Sequence, residues 1–94
     1  MDIIEYNRII QNNYLVVFFF YSDDYSVLLE NIDKLKVKYN TIYMVNVEDK
    51  NNKEIIEELF ITSCPLFRIY KNHVLIEEIF GNYSNILRII EGHF

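Results

Sequence analysis

Cysteine occurs once in this 94-residue chain, at Cys64. That excludes an intramolecular disulfide and a cysteine-rich zinc site. The two histidines, His73 and His93, lie far apart and have no Cys or His neighbour, so no metal or cofactor is expected. A lone thiol fits a reducing compartment or indifference to redox. Alanine and tryptophan are absent, and there are only two glycines and one proline. Bases are scarce too: nine Lys and Arg face fourteen Asp and Glu, a net charge of -5. Duplex binding draws most of its affinity from phosphate neutralisation, so this balance argues against a nucleic-acid partner. Long apolar runs are also missing. The longest, Tyr14 to Tyr21, has eight residues, where about twenty are needed to span a bilayer. The start, Met1-Asp2-Ile3-Ile4-Glu5, is acidic where a signal peptide is basic. The expectation is a cytoplasmic, intracellular protein with no membrane contact.

What is present is apolar material for one core. At 51% apolar residues the chain is not disordered, and its length suits a single domain over residues 1–94. Ile, Asn and Tyr are abundant while Gly, Pro and Ala are scarce. This is the pattern of an AT-rich genome, such as that of a large DNA virus, a protist or a low-GC bacterium.

Asp2 to Asn12 reads as a short helix capped by Asp2, with Ile3, Tyr6, Ile9 and Ile10 at helical spacing. Asn12-Asn13 ends it. Tyr14 to Phe20 is a β-branched and aromatic run without alternation, which predicts a central strand covered on both faces. Ser22-Asp23-Asp24 supplies helix-start chemistry for a helix from about Tyr25 to Tyr39. Leu28, Ile32, Leu35 and Tyr39 form its buried stripe. Acids at its front and Lys34, Lys36 and Lys38 toward its end both favour the helix dipole. A second β-rich segment runs from Thr41 to Val47, followed by a polar loop over Glu48 to Asn52. Lys53 to Phe60 predicts a third helix, with Ile55, Ile56, Leu59 and Phe60 as its apolar side. Leu66 to Tyr70 and Val74 to Phe80 read as strands around a hairpin turn at Lys71-Asn72-His73. Gly81 ends the second of them. Ser84 to Glu91 is a final helix with Ile86, Leu87, Ile89 and Ile90 near its core face. His73 reads as a turn residue and His93 as a frayed terminal one.

The order is α-β-α-β-α-β-β-α. A helix joins the first two strands, so they should be parallel and right-handed. The last two form an antiparallel hairpin, and helices should cover both faces of a four-stranded mixed sheet. This order, with Pro65 just before the third strand, resembles the thioredoxin fold over nearly the whole chain. Cys64-Pro65-Leu66-Phe67-Arg68-Ile69-Tyr70-Lys71-Asn72 is similar to that family's stretch around its cis-proline. Asn46-Val47-Glu48-Asp49, Tyr39 and Gly81 resemble further marks of the family. The resemblance implies a cis peptide at Pro65. It also places Ser22-Asp23-Asp24-Tyr25 over the family's Cys-Gly-Pro-Cys. Departures are a missing first strand, a longer loop near Asn51-Asn52 and a shortened stretch before the long helix.

Dithiol exchange needs a thiolate activated at a helix N-terminus and a second thiol to resolve the mixed disulfide. No cysteine lies between Met1 and Ser63. The buried Asp that the family keeps in its first core strand as a proton relay is also missing, because that strand reads Leu15-Val16-Val17-Phe18-Phe19-Phe20. Ser22-Asp23-Asp24 reads first as helix capping. Its sharper reading is an acidic recognition patch beside Tyr21 and Tyr25. A metal site on Asp23 and Asp24 lacks a third ligand. In the family the backbone before the proline pairs with an extended partner peptide, which requires no catalytic cysteine. The resemblance implies that Tyr21, Ser63, Cys64, Pro65, Gly81, Asn82 and Tyr83 border such a groove. Cys64 itself is open to three readings: a packing residue, a thiol for an intermolecular disulfide, or a monothiol nucleophile.

The leading expectation is a redox-inactive thioredoxin-like binding or assembly module with a protein partner, self-association included, and no enzyme activity. One alternative is a monothiol oxidoreductase or redox-linked dimer using Cys64. Another is a structural subunit of a viral particle, which would place it in the virion, or of a larger complex.

Overall fold

The computed structural model describes the backbone of residues 1–23, 26–81 and 83–94, and all of their side chains except those of 26–29 and 83–86. The described residues form four α-helices and four strands in the order α1 (Ile3–Asn12), β1 (Leu15–Tyr21), α2 (Ser26–Lys38), β2 (Ile42–Asn46), α3 (Lys53–Glu58), β3 (Leu66–Lys71), β4 (Val74–Phe80) and α4 (Tyr83–His93). A 3-10 turn at Lys50–Asn52 leads into α3. The sheet order is β2-β1-β3-β4. β1 pairs parallel with β2 and antiparallel with β3, and β3 pairs antiparallel with β4.

β1 is central because it has nothing to show to water. Val16, Val17, Phe18, Phe19 and Phe20 are all fully buried. The strand's period of two sends them to opposite faces. Val17 and Phe19 join Ile32 and Leu35 of α2 and Ile90 of α4. Val16, Phe18 and Phe20 join Tyr6 and Ile10 of α1 and Ile55 of α3. Aromatic contacts pin both sides: Phe19 stacks on Phe67 at 4.3 Å, and Phe18 lies 4.2 Å from the Tyr6 ring. Burying a side chain of this size contributes roughly 1.5–3 kcal/mol before ordering costs. The expected mixed sheet with helices on both faces is therefore present. β1 starts one residue later than its composition suggests, because Tyr14 is exposed while Tyr21 still pairs with Asn46.

Asp2 caps α1 by accepting from the Glu5 amide at 2.8 Å. No carboxylate lies in the first turn of α2, so the acids expected at its front all precede the helix, and only Lys36 and Lys38 in its last turn meet the dipole. Leu28 and Ile86 fall among the side chains that are not described. The hairpin turn is Asn72-His73, with φ of 52° and 69°. Two left-handed residues in succession are the signature of a type I′ turn, whose twist suits a hairpin. His73 Nδ1 also donates to the Ile10 carbonyl at 2.9 Å, tying the hairpin to the end of α1. His93 is not frayed: its Nε2 meets Glu77 Oε2 of β4 at 2.9 Å. On the edge strand β4 the register shifts by one residue between Ile69 and Tyr70 of its neighbour. Such a bulge bends an edge strand away from regular pairing with another chain.

Phe60 departs from its expected place on the apolar side of α3, since it is 84% exposed. The helix ends first. Phe60 has φ of 54°, its amide donates to Glu57 O, and the Ile61 amide donates to Ile56 O. This is a Schellman stop, in which the left-handed position normally holds glycine. A Cβ there opposes the following carbonyl by about 1–2 kcal/mol.

On the α1/α3 face one polar cluster runs from the buried Tyr6 out to the exposed Glu78. Tyr6 and Tyr70 share a hydrogen bond of 2.6 Å between their hydroxyls. Arg68 pairs with Glu78 at 2.7 Å and donates to Leu59 O at 3.4 Å. Among the described residues no buried side-chain polar atom lacks a partner. Burial, and then the Tyr70 hydroxyl, hold the Tyr6 phenol far above its ordinary range.

Two outcomes follow. Phe60→Gly should raise stability by about 1 kcal/mol in chemical denaturation, because glycine occupies the left-handed region without a Cβ penalty. An unchanged or lowered midpoint would contradict the strain assigned to Phe60. The Tyr6 contribution should be intact below about pH 10 and should fall as the pH rises above it, because the unfolded chain ionises there and the folded one does not. In Tyr6→Phe that alkaline loss should flatten, at a cost of about 1 kcal/mol at neutral pH. Denaturation midpoints at several alkaline pH values check both.

Candidate functional site

The C-terminal ends of β1, β2 and β4 and the N-terminal end of β3 meet at one end of the sheet. Phe20 is opposite Leu66, Leu66 is opposite Phe80, and Tyr21 is opposite Asn46. Tyr21, Pro65 and Gly81 thus lie at the same rim, one residue or less beyond the ladder. Gly81 has φ of 64°, a conformation that suits glycine, and open space surrounds the position of its missing Cβ. Asp24, Tyr25 and Asn82 lie outside the described residues, and of Tyr83 only its place as the first residue of α4 is described.

The loop from α3 to β3 forms the wall of a groove at this rim. Turned by the Schellman stop, it runs through Ile61 to the Cys64–Pro65 peptide bond, which is cis. Pro65 is buried, Cys64 half-buried, and Thr62 and Ser63 are exposed. Thr62, Ser63 and Cys64 line an open cavity of about 210 Å³ with Val47, Ile56 and Ile61. Val47 and Ile56 also line a second cavity of about 250 Å³ with Glu48, Asp49 and Lys50. The two are neighbours that share those side chains.

The structure brings Ser63 and Cys64 together in the groove and sets Pro65 behind them. It does not bring Tyr21 to the groove wall. The Tyr21 ring stacks on Phe19 at 5.4 Å and packs into the α2/α4 layer. Its phenol is pushed up first by burial and then by the charges of Asp23, Asp33 and Asp49. Ser22 is buried, and the exposed Asp23 accepts from Asn46 Nδ2 at 3.0 Å. Val47, Ile56, Ile61 and Thr62 were not expected at the site. Ile56 and Ile61 are five residues apart and share no helical face. They meet because the Ile61 amide returns to the Ile56 carbonyl, a turn that the composition of this segment does not announce.

Asn52, expected in a polar loop, is the pin of this end. It is 9% exposed. Its Nδ2 donates to Asn46 O at 2.9 Å, and its Oδ1 accepts from the Met1 amino group at 2.6 Å. Asn46 Oδ1 in turn accepts from the Glu48 amide at 2.9 Å. Among the described residues no group of three or more His, Cys, Asp or Glu is placed to hold a metal ion, and no helix is long and apolar enough to cross a membrane.

No protein-family model and no curated protein sequence matches the chain. Solved structures do. The oxidised thioredoxin of Plasmodium falciparum superposes with a TM-score of 0.73 at 26% identity, over 95% of this chain and 89% of that one. A cysteine-to-serine variant of the Entamoeba histolytica thioredoxin gives 0.79 at 18% identity, over 99% and 94%. A thioredoxin f2 in complex with ferredoxin:thioredoxin reductase gives 0.76 at 24% identity, over 99% and 91%.

Asn52→Ala should cost about 1–3 kcal/mol, because a buried carbonyl and a chain-crossing bond lose their partner together. Urea denaturation, with hydrogen exchange at the Val47 and Glu48 amides, reads the loss. An unchanged midpoint would remove Asn52 from the support of the groove. The order of strands and helices and the superpositions agree: this chain has the thioredoxin fold, with one cysteine and no Cys-x-x-Cys.

Proposed function

We propose that the chain is a redox-inactive thioredoxin-like binding module that takes an extended segment of a protein partner in the groove beside Pro65. The observation that carries this reading is the loop at Thr62 and Ser63, two exposed residues that run along an apolar wall to the buried Pro65. A strand added there gains main-chain hydrogen bonds while side-chain pockets select its sequence. Redox inactivity follows from what dithiol exchange requires. A second thiol must resolve the mixed disulfide, and the chain has one cysteine in all. Val16 to Phe20 hold no ionisable group that could relay a proton.

Cys64 supports a second reading, because it lines the groove that a partner would enter. A monothiol reaction or a disulfide-linked dimer would both start from that sulfur. A disulfide-reduction assay on insulin, with light scattering under oxidising and reducing conditions, separates the readings. The binding module should reduce no insulin and keep one mass in both conditions, and Cys64→Ser should behave as the parent does. A mass that halves with reductant, or thiol-transfer activity lost in Cys64→Ser, would return the function to Cys64.

A further inference from the structure

The wall of the groove is apolar at Val47, Ile56 and Ile61, but the chain around it is acidic. Between residues 48 and 58 there are five carboxylates and two lysines, a net charge of -3 out of the chain's -5. All seven of these side chains are exposed. Asp49 and Glu57 line the neighbouring cavity, which shares Val47 and Ile56 with the groove, together with Lys50 and Lys53. Glu54 and Glu58 lie on the same short helix as Glu57, where residues three and four apart are neighbours. At the other side Asp23 is held by Asn46, the residue before Val47.

We propose that the groove selects a cationic partner segment. An extended stretch seats one apolar side chain on Val47, Ile56 and Ile61, and its flanking Lys or Arg side chains meet the carboxylates of Asp49 and Glu57, with the other acids of α3 adding to the field. The inference rests on the groove reading above and adds the charge of the occupant to it. A second copy of the chain is the disfavoured occupant, because each copy carries the same net -5 and like charges brought together across an interface oppose association. Surface carboxylates of this kind act mainly on the encounter rate and on discrimination between partners, and salt screens them.

The test uses three fluorescent peptides that share one short Val- and Ile-containing core flanked by Lys, by Ser or by Glu. Affinity is read by anisotropy at low and high salt, and location by amide shifts of Thr62, Ser63 and Cys64. The Lys-flanked peptide should bind about tenfold more tightly than the Ser-flanked one, and the Glu-flanked one least. High salt should erase the difference. A variant carrying Glu54→Gln, Glu57→Gln and Glu58→Gln, confirmed as folded by circular dichroism, should also erase it. Equal affinities for all three peptides, with the Thr62 to Cys64 amides moving, would overturn the cationic preference and leave the groove reading intact. No binding by any peptide would overturn the groove reading and the preference with it. A Lys preference that persists in the triple variant would take the selectivity away from α3 and overturn the proposal.

Discussion

β1 carries only apolar side chains from Leu15 to Phe20, and five of them are buried completely. A strand of that kind must be covered on both faces and paired on both edges, since an exposed apolar strand edge recruits other chains. The α1/α3 layer and the α2/α4 layer provide the cover, and β2 and β3 provide the pairing. The parallel β1–β2 pair requires a crossover long enough to hold α2. The position of nearly every other element follows from placing this one strand in the middle.

The same strand shapes the chemistry at its end. By burying Val16 to Phe20 it brings the rim at Tyr21, Asn46 and Pro65 into the centre of the sheet's C-terminal edge, yet it brings no ionisable group there. The side chains that define the groove arrive from elsewhere, on the loop that α3 releases toward β3. That loop is aimed by two local devices. The left-handed Phe60 turns the chain, and Arg68 grips the Leu59 carbonyl while pairing with Glu78. Asn52 does the corresponding work beside β2. An edge held by such contacts leaves less ordering to be done on association, which lowers its cost.

Much of this was legible in the order of residues. The run Tyr14–Phe20 announced a central strand, Asp2 announced a helix start, and Asn72-His73 fell inside the expected hairpin turn. Pro65, standing before a second apolar run, marked the rim of the sheet. The misplaced residues share a cause. Phe60 continues the apolar pattern of α3, but hydrogen bonding of the backbone ends the helix at Glu58, two residues earlier. His93 reads as an end residue, but β4 places Glu77 within 2.9 Å of it. Tyr21 reads as a residue bordering the groove, but from its place at the rim its ring turns to Phe19 and the α2/α4 layer.

Composition and pattern determined the class of the fold, the central strand, the acidic balance and the lack of a second thiol, because these depend on residue type and local period alone. Tertiary structure decided which side chains share the groove. Val47, Ile56, Ile61 and Cys64 come from three segments of the chain, and no local period relates them. Only the closing of the α3 turn and the register of β3 against β1 set them side by side, and those are properties of the folded backbone.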